Sequence, residues 1–282
     1  MDIENLVLGG GGAKGYDYIG VIKALEEHNL ISKLKKIIGS SIGSFFSLII
    51  VLGYSSSELI SIFSKANLSF NNLIKFSFDN NDIDNILITL LYNYGLDDGE
   101  KFHNIIKIFI KNKVGNSEIT FKELHDNKNI ELTIVITNLT TNSTEYCNYI
   151  NTPNMKVHLA IRASISIPFI LSPVIINDNY YIDGGITNNL PINYLSESEI
   201  KKSLAVSLTC IQQNNVESLQ SYFISILKCY IGYLDINKLN KYKDNILIIE
   251  QICNSIEFDI SSEKITNLIN KGYTTTKNYL NK

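Results

Sequence analysis

Apolar and polar positions along the chain group into short runs and helical stripes that succeed one another. Asn5 to Leu8 is a brief apolar run that gives way to four glycines, Gly9 to Gly12. From Lys14 to Glu27 the apolar residues Tyr18, Ile19, Ile22 and Leu25 recur at helical spacing, so the segment predicts strand, glycine loop, helix. Ile37-Ile38 breaks at Gly39 and is followed by the apolar block Ile42 to Leu52, with Gly53 as its natural stop, which repeats strand, tight turn, helix. Ser55 and Glu58 have the spacing of a capping box and predict a helix through Ala66. Asn67 to Asn129 reads as looser helical sequence, with loops at Asn71-Asn72 and Asp79 to Asp84 and its clearest helix over Glu100 to Lys111.

Beyond it, Leu132 to Thr137 is β-branched and predicts a strand, and Asn154 to Ala163 predicts a helix broken before Pro168. Val174 to Ile176, a turn over Asn177 to Asn179, and Tyr180 to Ile182 predict a hairpin that delivers Asp183-Gly184-Gly185. Leu204 to Leu208 and Ile246 to Ile249 have strand length, with helices expected from about Glu217 to Leu239 and over Ser262 to Leu280. The pattern is α/β throughout. No repeat, proline-rich linker or low-complexity boundary divides it, so residues 1–282 are read as one domain.

Composition narrows the function classes. With 45% hydrophobic and 19% charged residues in 282, the chain can bury a large core, and a net charge of -3 offers nucleic acid no general binding surface. The 34 Asn, and 24 Lys against the single Arg162, fit an AT-rich coding bias and carry no functional reading. Cys147, Cys210, Cys229 and Cys253 are widely spaced and suggest neither a zinc site nor a disulfide framework, so a reducing compartment is expected. The acidic start lacks the basic and apolar regions of a secretory signal, and the longest apolar block is about half of a membrane span. A cytoplasmic protein is expected, reaching lipid only peripherally.

Gly10 to Gly15 satisfies G-x-G-x-x-G between a strand and a helix. The acidic residue that a dinucleotide-binding oxidoreductase wants after the second strand is absent, and a Walker loop fails because Gly15 follows Lys14. What survives is a row of backbone N–H groups at a helix N-terminus, suited to a phosphate or a transient oxyanion. Gly39-Ser40-Ser41-Ile42-Gly43 is G-x-S-x-G at a strand-to-helix turn, the pattern of a nucleophile elbow with Ser41 exposed at its tip and Ser40 as a turn or capping hydroxyl. The usual triad order fails, because none of His28, His103, His125 and His158 follows Asp183. His158 reads as a structural or surface histidine, and His103 and His125 as solvated.

In this order Gly10-Gly-Gly-Ala-Lys-Gly15, Gly39-Ser-Ser-Ile-Gly43 and Asp183-Gly-Gly185 resemble the signatures of the patatin-like phospholipases. Thr137 to Thr140, Ala163-Ser164 up to Pro168, and Asn188-Asn-Leu-Pro191 are similar to the family's intervening segments. The resemblance covers about residues 5–191, and 192–282 more loosely. It implies a three-layer α/β/α fold with a mainly parallel central sheet and hydrolysis of lipid acyl esters without a cofactor or metal. By the same resemblance Ser41 is the nucleophile and Asp183 the base. Gly10, Gly11 and Gly12 would form the oxyanion hole, and Lys14, Gly15, Gly39, Gly43, Gly184 and Gly185 would support the motifs. The implied partner is membrane phospholipid or another acyl lipid at an interface, with room for a protein activator. Lys14 replaces the family's commoner arginine, and Tyr16-Asp17 stand where small or apolar residues are usual, which bears on substrate preference.

A lipid-binding protein with weak catalysis on the same fold is the alternative reading. Arg162 is expected to anchor a loop by an ion pair rather than to contact a headgroup. The Tyr- and Ile-rich stretch Tyr222 to Leu234 is expected to be core.

Overall fold

The computed structural model describes residues 2–65, 83–210, 216, 219–251 and 261–282. Strand β1 (Asn5–Leu8) leads through the glycine loop and a 3-10 turn at Gly12–Tyr16 into α1 (Asp17–Glu27). β2 (Lys36–Ser40) turns directly into α2 (Ile42–Leu52), followed by α3 (Ser56–Lys65) and α4 (Ile83–Asn93). β3 (Gly95–Asp97), α5 (Glu100–Val114) and α6 (Phe121–Lys128) bring the chain to β4 (Glu131–Asn138) and β5 (Ser143–Cys147). α7 (Val157–Ser164), β6 (Phe169–Leu171), β7 (Val174–Ile176) and β8 (Asn179–Asp183) come next. After them are α8 (Gly185–Asn188), α9 (Glu197–Ile200), β9 (Ser203–Cys210), α10 (Leu219–Lys241), β10 (Ile246–Gln251) and α11 (Ser262–Leu280).

The main sheet runs β10-β9-β1-β2-β4-β8-β7, with β5 also on β4. β10, β9, β1, β2 and β4 are parallel, while β5 and β8 run antiparallel to β4. Strands buried on both faces need apolar side chains in both directions, and this is why the runs look continuous rather than alternating. Leu6, Leu8, Ile37, Ile134, Ile136, Leu204 and Val206 point into the larger core, whereas Val7, Ile38, Val135 and Ala205 point into a smaller one. The larger core is filled by α1, α2, α5, α7 and α11. The smaller is closed by Leu190, Ile192, Leu195 and Ile200, with Leu239 of α10 against it. The three-layer α/β/α arrangement with a mainly parallel sheet is therefore present, one outer layer being thin.

α2 is buried along its whole length. Its Phe45 meets the edges of Phe46, Phe102 and Phe109 at ring separations of 5.3, 5.6 and 5.4 Å, so α2 is clamped between the sheet and α5. The capping box at Ser55 is formed, with the Glu58 carboxylate accepting the Ser55 N–H at 2.8 Å and Ser55 Oγ accepting the Glu58 N–H at 3.2 Å. The hairpin turn is also as expected, Asn177 and Asp178 both having positive φ.

Several expectations need correction. The helix expected from Asn154 starts at Val157, because Asn154 and Met155 form a turn whose Met155 carbonyl accepts the Phe121 N–H, and Lys156 is held extended by its bridge to Thr120. α10 is not core over Tyr222 to Leu234. Tyr222, Ile226, Tyr230 and Tyr233 are exposed, the helix lying over the thin layer with its outer side uncovered by the described residues. The loops expected at Asn71-Asn72 and Asp79 to Asp84 fall outside the described residues, except that Ile83 and Asp84 open α4. Among the described residues no helix is long and apolar enough to cross a membrane.

Candidate active site

Leu8 of β1 lies opposite Gly39 of β2, so the loops leaving these parallel strands meet at the C-terminal ends of the strands. The turn after β2 is tight. A Cβ on Gly39 would strike the Gly43 carbonyl and Ser47 Oγ, and one on Gly43 would strike the carbonyls of Leu8 and Gly9. With both glycines packed in this way, Ser41 takes φ 53° and ψ -133°, a conformation that costs a non-glycine residue about 1–3 kcal/mol. It sits at the N-cap of α2, buried rather than exposed as the sequence suggested, with its hydroxyl turned to Asp183.

β4 brings the second half of the site. A strand has two edges, and β5 pairs with one of them from Ile134 to Asn138. The other pairs with β2 as far as Val135, opposite Ser40, and with β8 from Ile136, opposite Asp183. β8 thus takes over the edge that β2 leaves when it turns into the elbow. The result is a hydrogen bond from Ser41 Oγ to Asp183 Oδ2 at 2.7 Å between residues that are 4 and 7% exposed, Asp183 being the more buried.

Asp183 Oδ1 accepts the Gly185 N–H at 2.7 Å, its N–H donates to the Ser166 carbonyl at 2.9 Å, and its carbonyl accepts from Thr137 Oγ1 at 2.9 Å. Gly184 presses against the Val135 carbonyl, which leaves no room for a side chain. Burial pushes the Asp183 carboxyl up to about 7, against the opposing pull of the Ser41 hydroxyl and the Gly185 amide.

The glycine loop packs on the same spot. A Cβ on Gly10 would meet Ser41 Cβ at 3.0 Å and collide with Asn189 Oδ1. The Gly10 N–H donates to the Asn189 carbonyl at 3.2 Å, and the Ser41 N–H donates to Ser164 Oγ at 2.9 Å, so neither amide is free. Among the described residues the Gly11 and Gly12 amides donate no such bond. Gly11 lies against Leu208, and Lys14 Nζ donates to the Leu208 carbonyl at 3.2 Å, tying the loop to the end of β9. Gly15 packs on Ile42 and Phe46 of α2.

Below the loop, Tyr18 donates its buried hydroxyl to the Gly9 carbonyl at 2.5 Å. Asp17 is fully buried, with Oδ1 accepting from Gln251 Nε2 at 2.5 Å and Oδ2 unpartnered. Burial raises its carboxyl to about 8, opposed by the Gln251 bond and the positive charges of Lys14 and Lys271.

The histidines are engaged elsewhere. His158 is buried between His103, at 2.6 Å, and Glu118, at 2.9 Å, so both of its ring nitrogens are occupied. His103 is therefore packed and not solvated, and His125 stacks on Tyr149 with ring centroids 3.7 Å apart. Their flanking charges hid contacts made to distant segments. His28 bonds the Ala24 carbonyl and Asn281. Arg162 has the structural role expected, but through hydrogen bonds. Its guanidinium donates to Ser166 Oγ at 2.5 Å and to the carbonyls of Asp98 and Ser172 at 2.5 and 3.1 Å.

Ser40 caps nothing; its hydroxyl is buried without a partner. Sequence reading gave no role to Ser164, Asn189, Tyr18 or Thr137, all of which hold the site. Three lie in or beside the recognised segments, but a hydroxyl or amide whose partner is set by the fold, over a hundred positions away for Ser164 and Asn189, leaves no local spacing. Among the described residues no cluster of three or more His, Cys, Asp or Glu is placed to hold a metal.

Residues 6–196 match the family model for patatin-like phospholipase. The chain is 27% identical to uncharacterized protein R571 of Acanthamoeba polyphaga mimivirus, over 98% of its own length and 93% of the relative's. It is 30% identical to probable lipid hydrolase 463L of Invertebrate iridescent virus 6, over 71% of this chain and 66% of that one. The fold is similar to that of VipD from Legionella pneumophila, with a TM-score of 0.61 at 19% identity, covering 100% of this chain and 67% of VipD. With a family match spanning both the glycine loop and the Ser41–Asp183 pair, the chain belongs to the patatin-like phospholipase family.

Proposed function

We propose that the protein is a lipid acyl hydrolase of the phospholipase A type that works through a Ser41/Asp183 dyad. The observation that carries this reading is the 2.7 Å hydrogen bond from Ser41 Oγ to a buried aspartate with a raised pKa. A base titrating near neutrality can accept the hydroxyl proton as the oxygen attacks and return it to the leaving alcohol. Ser41 Oγ adds to the acyl carbonyl while Asp183 takes its proton, and the tetrahedral oxyanion faces the Gly11 and Gly12 amides. Gly10 shapes the wall of this oxyanion hole. Collapse expels the alcohol, protonated by Asp183, and leaves an acyl-Ser41 ester. Water, deprotonated by Asp183, attacks that ester and frees the fatty acid, restoring both residues. Each amide aimed at the oxyanion supplies about 2.7–4 kcal/mol. Every group in this cycle belongs to the chain, so no cofactor is required.

The substrate is membrane phospholipid or another acyl lipid met at an interface. The exposed Tyr222, Ile226, Tyr230 and Tyr233 on α10 support this, because tyrosine suits a boundary that is apolar on one side and wet on the other. A cytoplasmic enzyme that reaches lipid peripherally fits this reading. The test is a fluorophosphonate probe together with fatty-acid release from phospholipid vesicles. Wild type should be labelled and release fatty acid, and Ser41→Ala should do neither. Vesicle binding by wild type with no labelling and no release would instead make the chain a lipid-binding protein.

A further inference from the structure

α10 meets the catalytic loops through a buried aspartate, Asp235, and a partly buried lysine, Lys238. Asp235 is 6% exposed, and its two carboxylate oxygens are divided between different tasks. Oδ2 accepts from the Asn189 side-chain amide at 2.9 Å, and Oδ1 accepts from Lys238 Nζ at 2.8 Å. Lys238 in turn donates to Asn188 Oδ1 at 2.7 Å, and Asn188 Nδ2 donates to the Tyr146 hydroxyl at 2.8 Å. One helical turn of α10 therefore grips both asparagines that follow the Asp183-Gly184-Gly185 loop.

Asn189 passes this hold to the glycine loop by two routes. Its carbonyl accepts the Gly10 N–H, and its side-chain oxygen fills the space where a Gly10 Cβ would stand and also closely approaches Gly185. The Gly9–Gly10 peptide is fixed at its other end by Tyr18, so Asn189 and Tyr18 together set the plane from which the Gly11 and Gly12 amides project. A rotated asparagine side chain would lose its place between Gly10 and Gly185. Among the described residues it is the Asp235 carboxylate that accepts from its amide and holds the orientation seen.

We infer that Asp235, oriented by Lys238, is a positioning residue that acts through Asn189 to hold the glycine loop against Ser41. The inference rests on the hydrolase reading above. Asp235 touches no reacting atom, so its loss should slow the chemical step and spare substrate binding. Asp235→Asn keeps an oxygen that can accept from Asn189 and should rescue most of the function.

The experiment measures the fluorophosphonate labelling rate of Ser41, and kcat and KM on a soluble short-chain ester, for wild type, Asp235→Leu, Asp235→Asn, Asn189→Ala and the Asp235→Leu/Asn189→Ala double variant. Expected are a fall of about tenfold or more in labelling rate and kcat for Asp235→Leu with KM within about twofold, and Asp235→Asn within about threefold of wild type. The double variant should be no slower than Asn189→Ala alone, because the second loss acts through a residue already removed. Labelling of Asp235→Leu at the wild-type rate, or additive losses in the double variant, would overturn the inference. If Asp235→Leu does not fold, Asp235→Ser takes its place under the same criteria. Wild type that is not labelled, or is labelled equally as Ser41→Ala, would refute the hydrolase reading itself, a result distinct from either.

Discussion

Ser164 accepts the backbone N–H of Ser41 on its side-chain oxygen at 2.9 Å, while its carbonyl accepts the Gly184 N–H at 3.3 Å. One residue at the end of α7 thus binds the peptide of the proposed nucleophile and the loop of its partner. α7 itself is anchored by two buried polar side chains, Arg162 and His158.

The proposed proton transfer is the first thing to test. Asp183→Asn keeps the shape of the base and removes its basicity, so turnover should fall by several orders of magnitude, comparable to Ser41→Ala, with the unfolding midpoint little changed. Replacing His28, His103, His125 and His158 together by Gln should leave turnover per folded molecule within about tenfold of wild type. Steady-state assays normalised to folded protein decide it, and one essential histidine would end the dyad mechanism.

The acid limb of the pH–rate profile should report Asp183. Its working form is the carboxylate, and burial holds its pKa at about 7, so kcat/KM should rise tenfold per pH unit below that value and level off above it. A limb centred near 4, the range of an ordinary aspartate, would show that the reacting base is not this buried carboxyl.

Asp17 should make the fold less stable as pH rises. Burial holds its folded pKa at about 8, above the 3.8 of an ordinary aspartate, so the folded state binds more protons between the two. The stability tied to the protonated form is complete below about 4 and is lost progressively until about 8. Asp17→Asn removes this dependence. Thermal unfolding at pH 6 and pH 9 should show a smaller drop in Tm for the variant than for wild type, and equal drops would assign the pH dependence to other groups.

Arg162→Lys should destabilise by about 2–4 kcal/mol despite the retained charge, since a single ammonium cannot reproduce the guanidinium fork and leaves buried acceptors unpaired. Urea unfolding with an unchanged m-value gives the figure directly. A loss below about 0.5 kcal/mol would mean that the arginine is not an anchor.

How much of this was legible in the sequence depends on how far apart the cooperating residues lie. Gly39, Ser41 and Gly43 form their turn from neighbours, so their spacing alone announced the elbow. Glycine-rich sequence after β1 likewise announced a loop with exposed amides, and Asp183 was found because two glycines follow it. The Gly10 amide was not predictable as occupied, because its acceptor, Asn189, lies far along the chain, at the end of α8. β3 and β6 have three residues each, too few for any period to show, and β5 is a half-polar strand that pairs only with β4. The exposure of α10 escaped detection for a different reason. Composition records that Tyr and Ile are apolar, but not whether the layer above them exists.

The succession of β2 and β8 along one edge of β4 makes the sheet a ruler for the site. Ser40 and Asp183 stand on successive rungs, opposite Val135 and Ile136, and a rung is about 3.3 Å. Slippage of β8 by one residue would turn Asp183 to the opposite face, so the pair is either in register or absent, with no gradual loss between. Chain length between the two halves is then immaterial to their separation. Connections between α3 and α6 could be shortened or lengthened, provided the larger core stays filled and the Asp98, His103 and Glu118 contacts that anchor α7 are kept, without altering the distance between Ser41 and Asp183.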